Sequence, residues 1–159
     1  TEYGLNLHVS LGTTVTALLL VDGTYFIINV GDSRAYLLDG GMNQLTVDQT
    51  FVQREVDMGR MTPEEARVSP QRNVLLQCVG ASGVIEPDFY VGQYRQDQVF
   101  MLCSDGFRHV ISPSEFYERL NPAVLATEER MKESAVYFTE LNKARNETDN
   151  ISVILIRVC

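Results

Sequence analysis

The first half of the chain alternates short apolar runs with turn residues. Val15–Val21 and Thr24–Val30 are rich in β-branched and aromatic residues, which favours strands. The two residues between them, Asp22-Gly23, predict a tight hairpin, because a type I′ turn needs positive φ at both positions. We expect further strands over residues 34–38 and about 44–46. Together these four would form an antiparallel meander covered on both faces, since its strands are almost continuously apolar.

Residues 48–80 change to helical patterning. Apolar positions after Phe51 predict a short helix that ends near Gly59. Thr62-Pro63-Glu64-Glu65 has the form of a capping box with proline at the first helical position, and it predicts a second helix. Residues 69–73 look irregular. We therefore expect this segment to be a surface excursion.

The second half predicts a strand pair, two helices and a closing strand. Residues 89–94 and 98–103 have the strand pattern, and a second capping box at 112–115 begins a short helix. Residues 127–146 form the one long helical pattern, and 150–158 would close the chain as a buried strand. The long helix should pack on a sheet through one apolar stripe, formed by Met131, Ala135, Phe138 and Leu141.

Length and composition indicate one globular domain, spanning residues 1–159. The chain is 45% hydrophobic and 21% charged, which is ordinary for a folded protein. Its longest apolar run, Val15–Val21, is far shorter than the ~18 residues of a membrane span. The net charge of −8 argues against nucleic acid as a partner, because that affinity comes mostly from basic side chains.

Cysteine and histidine usage limits the classes of site. The three cysteines, Cys78, Cys103 and Cys159, contain no C-x-x-C pair, which favours a reducing, cytoplasmic setting. The two histidines, His8 and His109, lie far apart in the sequence, so a zinc site built from histidine and cysteine is not expected.

Three aspartates occupy equivalent places next to predicted strands. Asp32 and Asp105 each follow a strand, and Asp149 precedes the last one. Strand ends align along the edge of a sheet, so these carboxylates can converge, and a hard divalent cation prefers such oxygen ligands. Taken singly, each aspartate is better explained as a turn former or helix cap. The spacing therefore makes a metal site plausible and leaves that alternative open.

Other phosphate chemistries do not fit the sequence. A thiol-based phosphatase needs five residues between its cysteine and arginine, whereas four separate Cys103 from Arg108. Neither a P-loop nor a G-x-S-x-G elbow is present. His109 follows a predicted loop and is interpreted as a satisfied polar residue rather than a base.

The order of these motifs resembles the metal-dependent protein phosphatase family (PPM, or type 2C), in its bacterial branch. The segment 51–80 also resembles the flap of bacterial members, so we place a flap at about 48–80. The resemblance covers essentially the whole chain. Its successive motifs are Gly12-Thr13-Thr14, residues 29–34 (NVGDSR), Leu45-Thr46 with Asp48, residues 103–106 (CSDG), and Asp149-Asn150 before an apolar strand.

The resemblance implies a fold, a reaction and a set of metal ligands. The fold would be α+β, an α/β/β/α sandwich of antiparallel sheets. Two or three manganese or magnesium ions would activate a water that attacks phosphoserine or phosphothreonine in a phosphoprotein made by a cognate kinase. Asp105 and Asp149 match ligands of the central site and are the catalytic candidates. Asp32 matches the ligand that, with Asp105, holds a third metal, and Asn150 would orient Asp149.

The chain also departs from the family pattern. The family's upstream D-G-x-G-G motif, a phosphate-binding arginine and the helices that cover one sheet are not in this sequence, and Gln49 stands where many members have histidine. We therefore expect the C-terminal two-thirds of a phosphatase domain, an incomplete four-layer sandwich with little activity alone. In the chain alone, apolar sheet surface should be exposed around Leu18, Leu20, Ile27 and Leu155. We expect a dimer partner or a companion segment to cover it.

A second hypothesis places the chain in another class. It could be a non-catalytic pseudophosphatase or binding module that acts through its flap and sheet surface, since the family's bridging aspartate is not in the sequence. Retention of Asp32, Asp105 and Asp149 argues mildly against this, because a binding module has no need of all three.

Overall fold

The computed structural model describes residues 11–159, which form two antiparallel β-sheets and five helices. His8 lies outside the described residues. The strands are β1 (Val15–Val21), β2 (Thr24–Val30), β3 (Arg34–Leu38), β4 (Met42–Gln44), β5 (Asp88–Gln93), β6 (Val99–Cys103) and β7 (Val153–Arg157). The helices are α1 (Phe51–Asp57), α2 (Pro63–Val68), α3 (Asp105–Arg108), α4 (Pro113–Arg119) and α5 (Glu128–Ala144). Within this range no helix combines the length and the hydrophobicity needed to cross a membrane.

The sheets pack face to face. Their strand orders are β1-β2-β5 and β4-β3-β6-β7, and every neighbouring pair is antiparallel. Ile27 from the first sheet and Ala35 and Leu102 from the second are buried in one apolar cluster between them. This cluster joins the two layers, because each sheet has one face that must leave water.

A second, larger core lies between the four-stranded sheet and the helices. Phe107, Phe116 and Phe138 are almost completely buried in it, with the rings of Phe116 and Phe138 4.9 Å apart. Burial of each such side chain is worth about 1.5–3 kcal/mol. Phe138 belongs to the apolar stripe predicted for the long helix, and Met131 and Leu141 of that stripe pack against the same core. The prediction that this helix packs on a sheet is confirmed.

The expected single meander is wrong, because the chain changes sheet after β2. Residues 31–33 carry it from the first sheet to the second, and Gly31 turns there with φ of 104°. The strands at 88–93 and 99–103 do not pair with each other as predicted either, since β5 pairs with β2 and β6 pairs with β3. Apolar runs define strands without indicating which sheet each one joins.

The expected set of bare apolar residues is also wrong. Ile27 is only 2% exposed, and Leu18 and Leu20 are half-buried on the same inner face of the first sheet. Leu155 packs against the helical core. Because strand side chains alternate between faces, the exposed residues are those one position away.

The outer face of the three-stranded sheet is the one left open. Leu19, Phe26 and Val91 lie side by side across its three strands and are 59, 43 and 63% exposed. Phe89 is 73% exposed on the same face. We call Leu19, Phe26, Phe89 and Val91 the outer apolar face. The described residues thus form three layers, helices on a sheet on a sheet, as expected of an incomplete four-layer sandwich, while the prediction that both faces of the first sheet are covered is wrong.

Most local predictions are confirmed, with shifts at the ends of elements. The hairpin turn at Asp22-Gly23 has the positive φ values, 47° and 76°, that its sequence requires. Both predicted capping boxes form, at Thr62 and at Ser112. The fourth strand occupies Met42–Gln44 rather than 44–46, and the last begins at Val153 rather than 150 and lies at a sheet edge.

Candidate functional site

The loops that carry Asp32, Asp105 and Asp149 meet at one edge of the four-stranded sheet. In the pairing of β3 with β6, Arg34 lies opposite Cys103, so the residues just outside each strand emerge together. Cys103 also lies opposite Val153 of β7, which brings the segment before that strand to the same edge. The sequence predicted this shared edge from the order of strands and aspartates.

Asp105 is the first residue of α3, a helix that the sequence did not predict. The next residue, Gly106, is buried against the loop that carries Asp149. A Cβ atom on Gly106 would lie 2.7 Å from the carbonyl oxygen of Asn150 and 3.1 Å from Cβ of Asp149. Ser104 also holds the start of α3 against this loop. Its hydroxyl donates to the Asn150 carbonyl at 3.0 Å and accepts from the amide of Ser152 at 3.0 Å. Asp105 and the Asp149 loop are therefore held side by side.

Asp32 lies close enough to Asp105 for the two charges to interact. Burial raises the pKa of the Asp32 carboxyl above its ordinary value, and the negative charge of Asp105 raises it further, while Arg108 acts in the opposite direction. Asp32 is 8% exposed, whereas the side chain of Asp105 is 21% exposed. Two carboxylates in such a setting repel each other, and a divalent cation between them would relieve that repulsion.

Residues 31–33, the segment that crosses from the first sheet to the second and carries Asp32, are held by hydrogen bonds on two sides. We call this segment the Asp32 crossing. The amide of Gly31 donates to Oε1 of Gln49 at 2.8 Å, and the amide of Gln49 donates to the Gly31 carbonyl at 2.9 Å. The hydroxyls of Thr14 and Ser33 lie 2.9 Å apart on the other side. Any side chain at Gly31 would collide with Thr14, and its φ also favours glycine. Asp32 is thus placed by a rigid turn.

The loop before β7 is fixed by Glu147. Its carboxylate oxygen Oε1 accepts from the amides of Thr148 and Asp149 at 2.8 and 2.9 Å. The amide of Asn150 donates to Oδ1 of Asp149 at 2.7 Å, so Asn150 contacts Asp149 through its backbone. His109 lies between the two acidic elements, with Nδ1 3.5 Å from Glu147 and Nε2 3.7 Å from Asp105.

The structure brings the predicted residues together in pairs rather than as one cluster. Asp32 interacts with Asp105, and the Asp105 helix packs on the Asp149 loop. Within residues 11–159, however, no three acidic, histidine or cysteine side chains are grouped closely enough to hold one ion. Magnesium is commonly bound through one or two carboxylates with water completing its shell, and this donor set fits that mode.

An open cleft of about 290 Å³ adjoins this edge, between β1 and β7. Ser33 and Ser104, which immediately adjoin Asp32 and Asp105, form part of its wall. Thr14, Thr16 and Ser152 add three more hydroxyl groups to the lining. The wall of the cleft is therefore rich in hydroxyl groups next to the carboxylates.

Sequence reasoning missed three residues that build the site: Gln49, Arg108 and Glu147. In the sequence Gln49 is only a departure from a family motif, whereas in the structure its hydrogen bonds with Gly31 hold the turn that carries Asp32. Arg108 was considered only as the partner of Cys103, whose burial raises its thiol pKa to about 12. The position of Glu147, two residues before Asp149, is the signal that could have identified it, because an acidic side chain there can accept from the following amides.

Comparison with known proteins finds similarity to serine/threonine protein phosphatases. No protein-family model matches the chain. It is 38% identical over 149 residues to the serine/threonine protein phosphatase PstP of Mycobacterium tuberculosis, covering 93% of this chain and 28% of that protein. It is 34% identical over 148 residues to the serine/threonine phosphatase Stp of Listeria innocua, covering 92% of this chain and 56% of that protein.

A solved structure agrees with these relatives. The catalytic domain of PstP in complex with two manganese ions superposes with a TM-score of 0.76 at 35% identity, covering 93% of this chain and 60% of that one. The chain thus spans between about a quarter and just over half of the length of the curated relatives that it matches. Its sequence and its fold agree with the same group of enzymes.

Proposed function

This chain is related in sequence and fold to the PPM-type serine/threonine protein phosphatases, and we propose that the protein carrying it hydrolyses phosphoserine and phosphothreonine in a metal-dependent reaction. Its substrates would be phosphoproteins made by a serine/threonine kinase. Asp32, Asp105 and Asp149 would be the metal-binding residues, with Asp105 and Asp149 at the catalytic centre. Manganese or magnesium would be the cofactor, as two or three ions.

One observation carries this proposal: Asp105 begins a helix that is packed through Gly106 onto the Asp149 loop, while Asp32 lies within electrostatic reach. Clustered carboxylates cost stability unless a cation neutralises them, so an arrangement that fixes them this firmly is explained by metal binding. Oxygen-only donors favour magnesium and manganese over zinc or copper.

The residues of the chain have separable tasks in this reaction. Asp105 and Asp149 would hold the ions of the catalytic centre, and Asp32 with Asp105 would hold a further one. A phosphoryl group could approach through the cleft beside Ser33 and Ser104. When bound, the ions supply Lewis acidity and a nucleophilic water near neutral pH. His109 is held between two carboxylates, which suits it to orientation rather than to proton abstraction.

We further propose that the 159 residues alone have little activity. Within the described range, no group of three potential ligands surrounds a single position. Two carboxylates from this chain would leave a two-metal centre short of ligands, so robust turnover would need additional groups. A reducing, cytoplasmic location is proposed on the free state of Cys78, Cys103 and Cys159.

The test is hydrolysis of a phosphothreonine peptide with manganese, measured in the complete protein that carries this chain. Asp105→Asn should reduce turnover by at least about 100-fold, since a ligand of the ions is lost. Asp22→Asn is the matched control, because it removes a carboxylate from an exposed hairpin turn that accepts Asn-Gly equally well. Unchanged metal-dependent turnover in Asp105→Asn would contradict the proposal.

The outer apolar face supports a second candidate function, that of a pseudophosphatase or binding module. Exposed side chains such as Phe89 and Val91 suit contact with another protein surface. This alternative predicts no manganese-dependent hydrolysis by the complete protein, together with stable capture of a phosphoprotein. Turnover that requires Asp105 would exclude it.

A further inference from the structure

Arg108 stands one helical turn after Asp105 and is not among the proposed metal ligands. Its side chain is 14% exposed and points from α3 towards the Asp32 crossing. The Nη2 group donates to the backbone carbonyl of Asp32 at 3.1 Å and to Oδ2 of Asp48 at 3.2 Å. One guanidinium therefore connects the helix that begins with Asp105 to the turn that carries Asp32.

Neutralising Asp48 does not require Arg108. Arg34 already binds both oxygens of the Asp48 carboxylate, Nε to Oδ1 and Nη2 to Oδ2, each at 2.7 Å. A two-point pair of this kind is the strong form of the arginine–carboxylate contact. Arg108 is thus a second cation beside a carboxylate that is already paired. Its Nε is buried and has no hydrogen-bond partner among residues 11–159.

Keeping Arg108 in this place has costs that its contact with Asp48 alone does not explain. An unpaired buried donor lowers the stability of the folded state, because it gives up its hydrogen bonds to water without replacing them. A positive charge beside Asp32 and Asp105 also opposes the binding of a divalent cation by simple repulsion. What Arg108 provides in return is the connection between the two elements that carry these carboxylates.

We infer that Arg108 is a positioning residue, which holds the Asp32 turn against the Asp105 helix so that both carboxylates face one divalent ion. This inference rests on the proposed function, because it assumes that these two residues share a metal. Groups that orient metal ligands from behind typically contribute 10–100-fold to metal affinity.

Positioning and charge predict opposite effects, which makes the inference testable. If Arg108 acted only through its charge, Arg108→Gln would strengthen manganese binding by removing a repulsive cation. If Arg108 holds the two carboxylates in place, the same substitution weakens binding. The sign of the change in Kd therefore distinguishes the two roles.

The experiment measures manganese affinity by calorimetry in the complete protein that carries this chain, with folding checked by circular dichroism. We expect Arg108→Gln to raise the Kd of the site that depends on Asp32 about tenfold. Arg130→Gln is the matched control, because Arg130 is an exposed arginine on α5 whose ion pair among the described residues is with its neighbour Glu133. The manganese Kd of this variant should equal that of the wild type.

An unchanged or lower Kd in Arg108→Gln would overturn the inference. If Arg108→Gln does not fold, Arg108→Lys decides on the same measurement, since lysine keeps the charge but is a compact point charge without the guanidinium's fork of donors. A higher Kd in that variant supports positioning, and a wild-type Kd overturns it.

The proposed function is checked in the same series by Asp105→Asn. Loss of manganese binding in Asp105→Asn with a wild-type Kd in Arg108→Gln would leave the metal site standing and remove the role of Arg108. Wild-type manganese binding in Asp105→Asn would instead contradict the metal site itself, and the inference with it.

Discussion

Gly106 and Asn150 approach so closely that the backbone of one fills the space where a side chain on the other would begin. A Cβ atom on Gly106 would lie 2.7 Å from the Asn150 carbonyl oxygen, a backbone atom that cannot rotate away. The contact joins the first turn of α3 to the loop before β7, and hence Asp105 to Asp149. Because of this contact, position 106 has room only for glycine.

Gly106→Ala should therefore destabilise the fold and separate the two acidic elements. We expect the free energy of unfolding to fall by about 1–3 kcal/mol, as for other overpacked positions. The manganese-dependent turnover that we propose for the complete protein should fall with it. Chemical denaturation measures the first effect. Gly41→Ala is the control, since nothing lies within 4 Å of its Cβ position and its φ is ordinary; equal stability of both variants would contradict the argument.

Asn142 should tolerate no charge. It is fully buried on α5, and its Nδ2 donates to the carbonyls of Phe107 and Phe138 at 2.9 and 3.0 Å. Its Oδ1 has no partner in the part of the chain that the structure describes. Asn142→Asp would bury a carboxylate facing two carbonyl oxygens. We expect a loss of about 3 kcal/mol or more at neutral pH, as for other uncompensated buried charges.

Urea denaturation of Asn142→Asp against Asn43→Asp checks this expectation, because Asn43 is exposed on β4. A neutral outcome at Asn142 would mean that water reaches this side chain.

Glu115 should make stability depend on acidity. Hydrogen bonding from Arg145, and then from Ser112, lowers the pKa of its carboxyl from the ordinary 4.5 to about 2. A lowered pKa means that the folded state favours the ionised form, so this stabilisation is complete above pH 4.5 and is lost as the pH falls towards 2. Thermal melts of the wild type and Glu115→Gln should differ at pH 7 and converge as the pH falls from 4.5 towards 2.

Glu118→Gln, on the exposed side of the same helix, provides the comparison and should follow the wild type throughout. A difference between wild type and Glu115→Gln that persists undiminished at pH 2 would show that the carboxylate is not the source of the effect.

The outer apolar face should govern self-association of the chain. Replacing Leu19 and Phe89 with threonine removes two of its exposed apolar side chains, and neither contributes to a buried core, so stability should change by no more than about 0.5 kcal/mol. Light scattering should show less association in this double variant than in the wild type. Val84→Thr, which alters a 79% exposed valine outside the strands, should leave association unchanged. A strictly monomeric wild type would contradict the expectation.

Local sequence patterns predicted most helices, strands and turns. The pairing of strands into sheets depends on tertiary contacts, which these patterns do not indicate. Asp22-Gly23 specifies its hairpin, and Ser112 specifies the start of α4, because the determinants are adjacent in the sequence. The change of sheet at Gly31 was not predictable from strand patterns, since either sheet would bury the same apolar residues. The helix at Asp105 was missed because Ser-Asp-Gly is typical of a turn.

The candidate site was predictable only in part for the same reason. The order of strands and aspartates predicted the shared edge, and the family resemblance named Asp32, Asp105 and Asp149. Arg108 and Gln49 reach the site through contacts that span 76 and 18 residues of sequence, and no local pattern indicates such partners. The assignment of the three aspartates as metal ligands remains a prediction.

Asp32 belongs to the chain segment that passes from one sheet to the other, while Asp105 is anchored to the second sheet alone. Any sliding of the sheets over each other would therefore change the gap between these two carboxylates. The packing of Ile27 and Phe100 between the layers resists that sliding. If these carboxylates bind an ion as proposed, substitutions deep in this interior should accordingly change which size of cation fits between them.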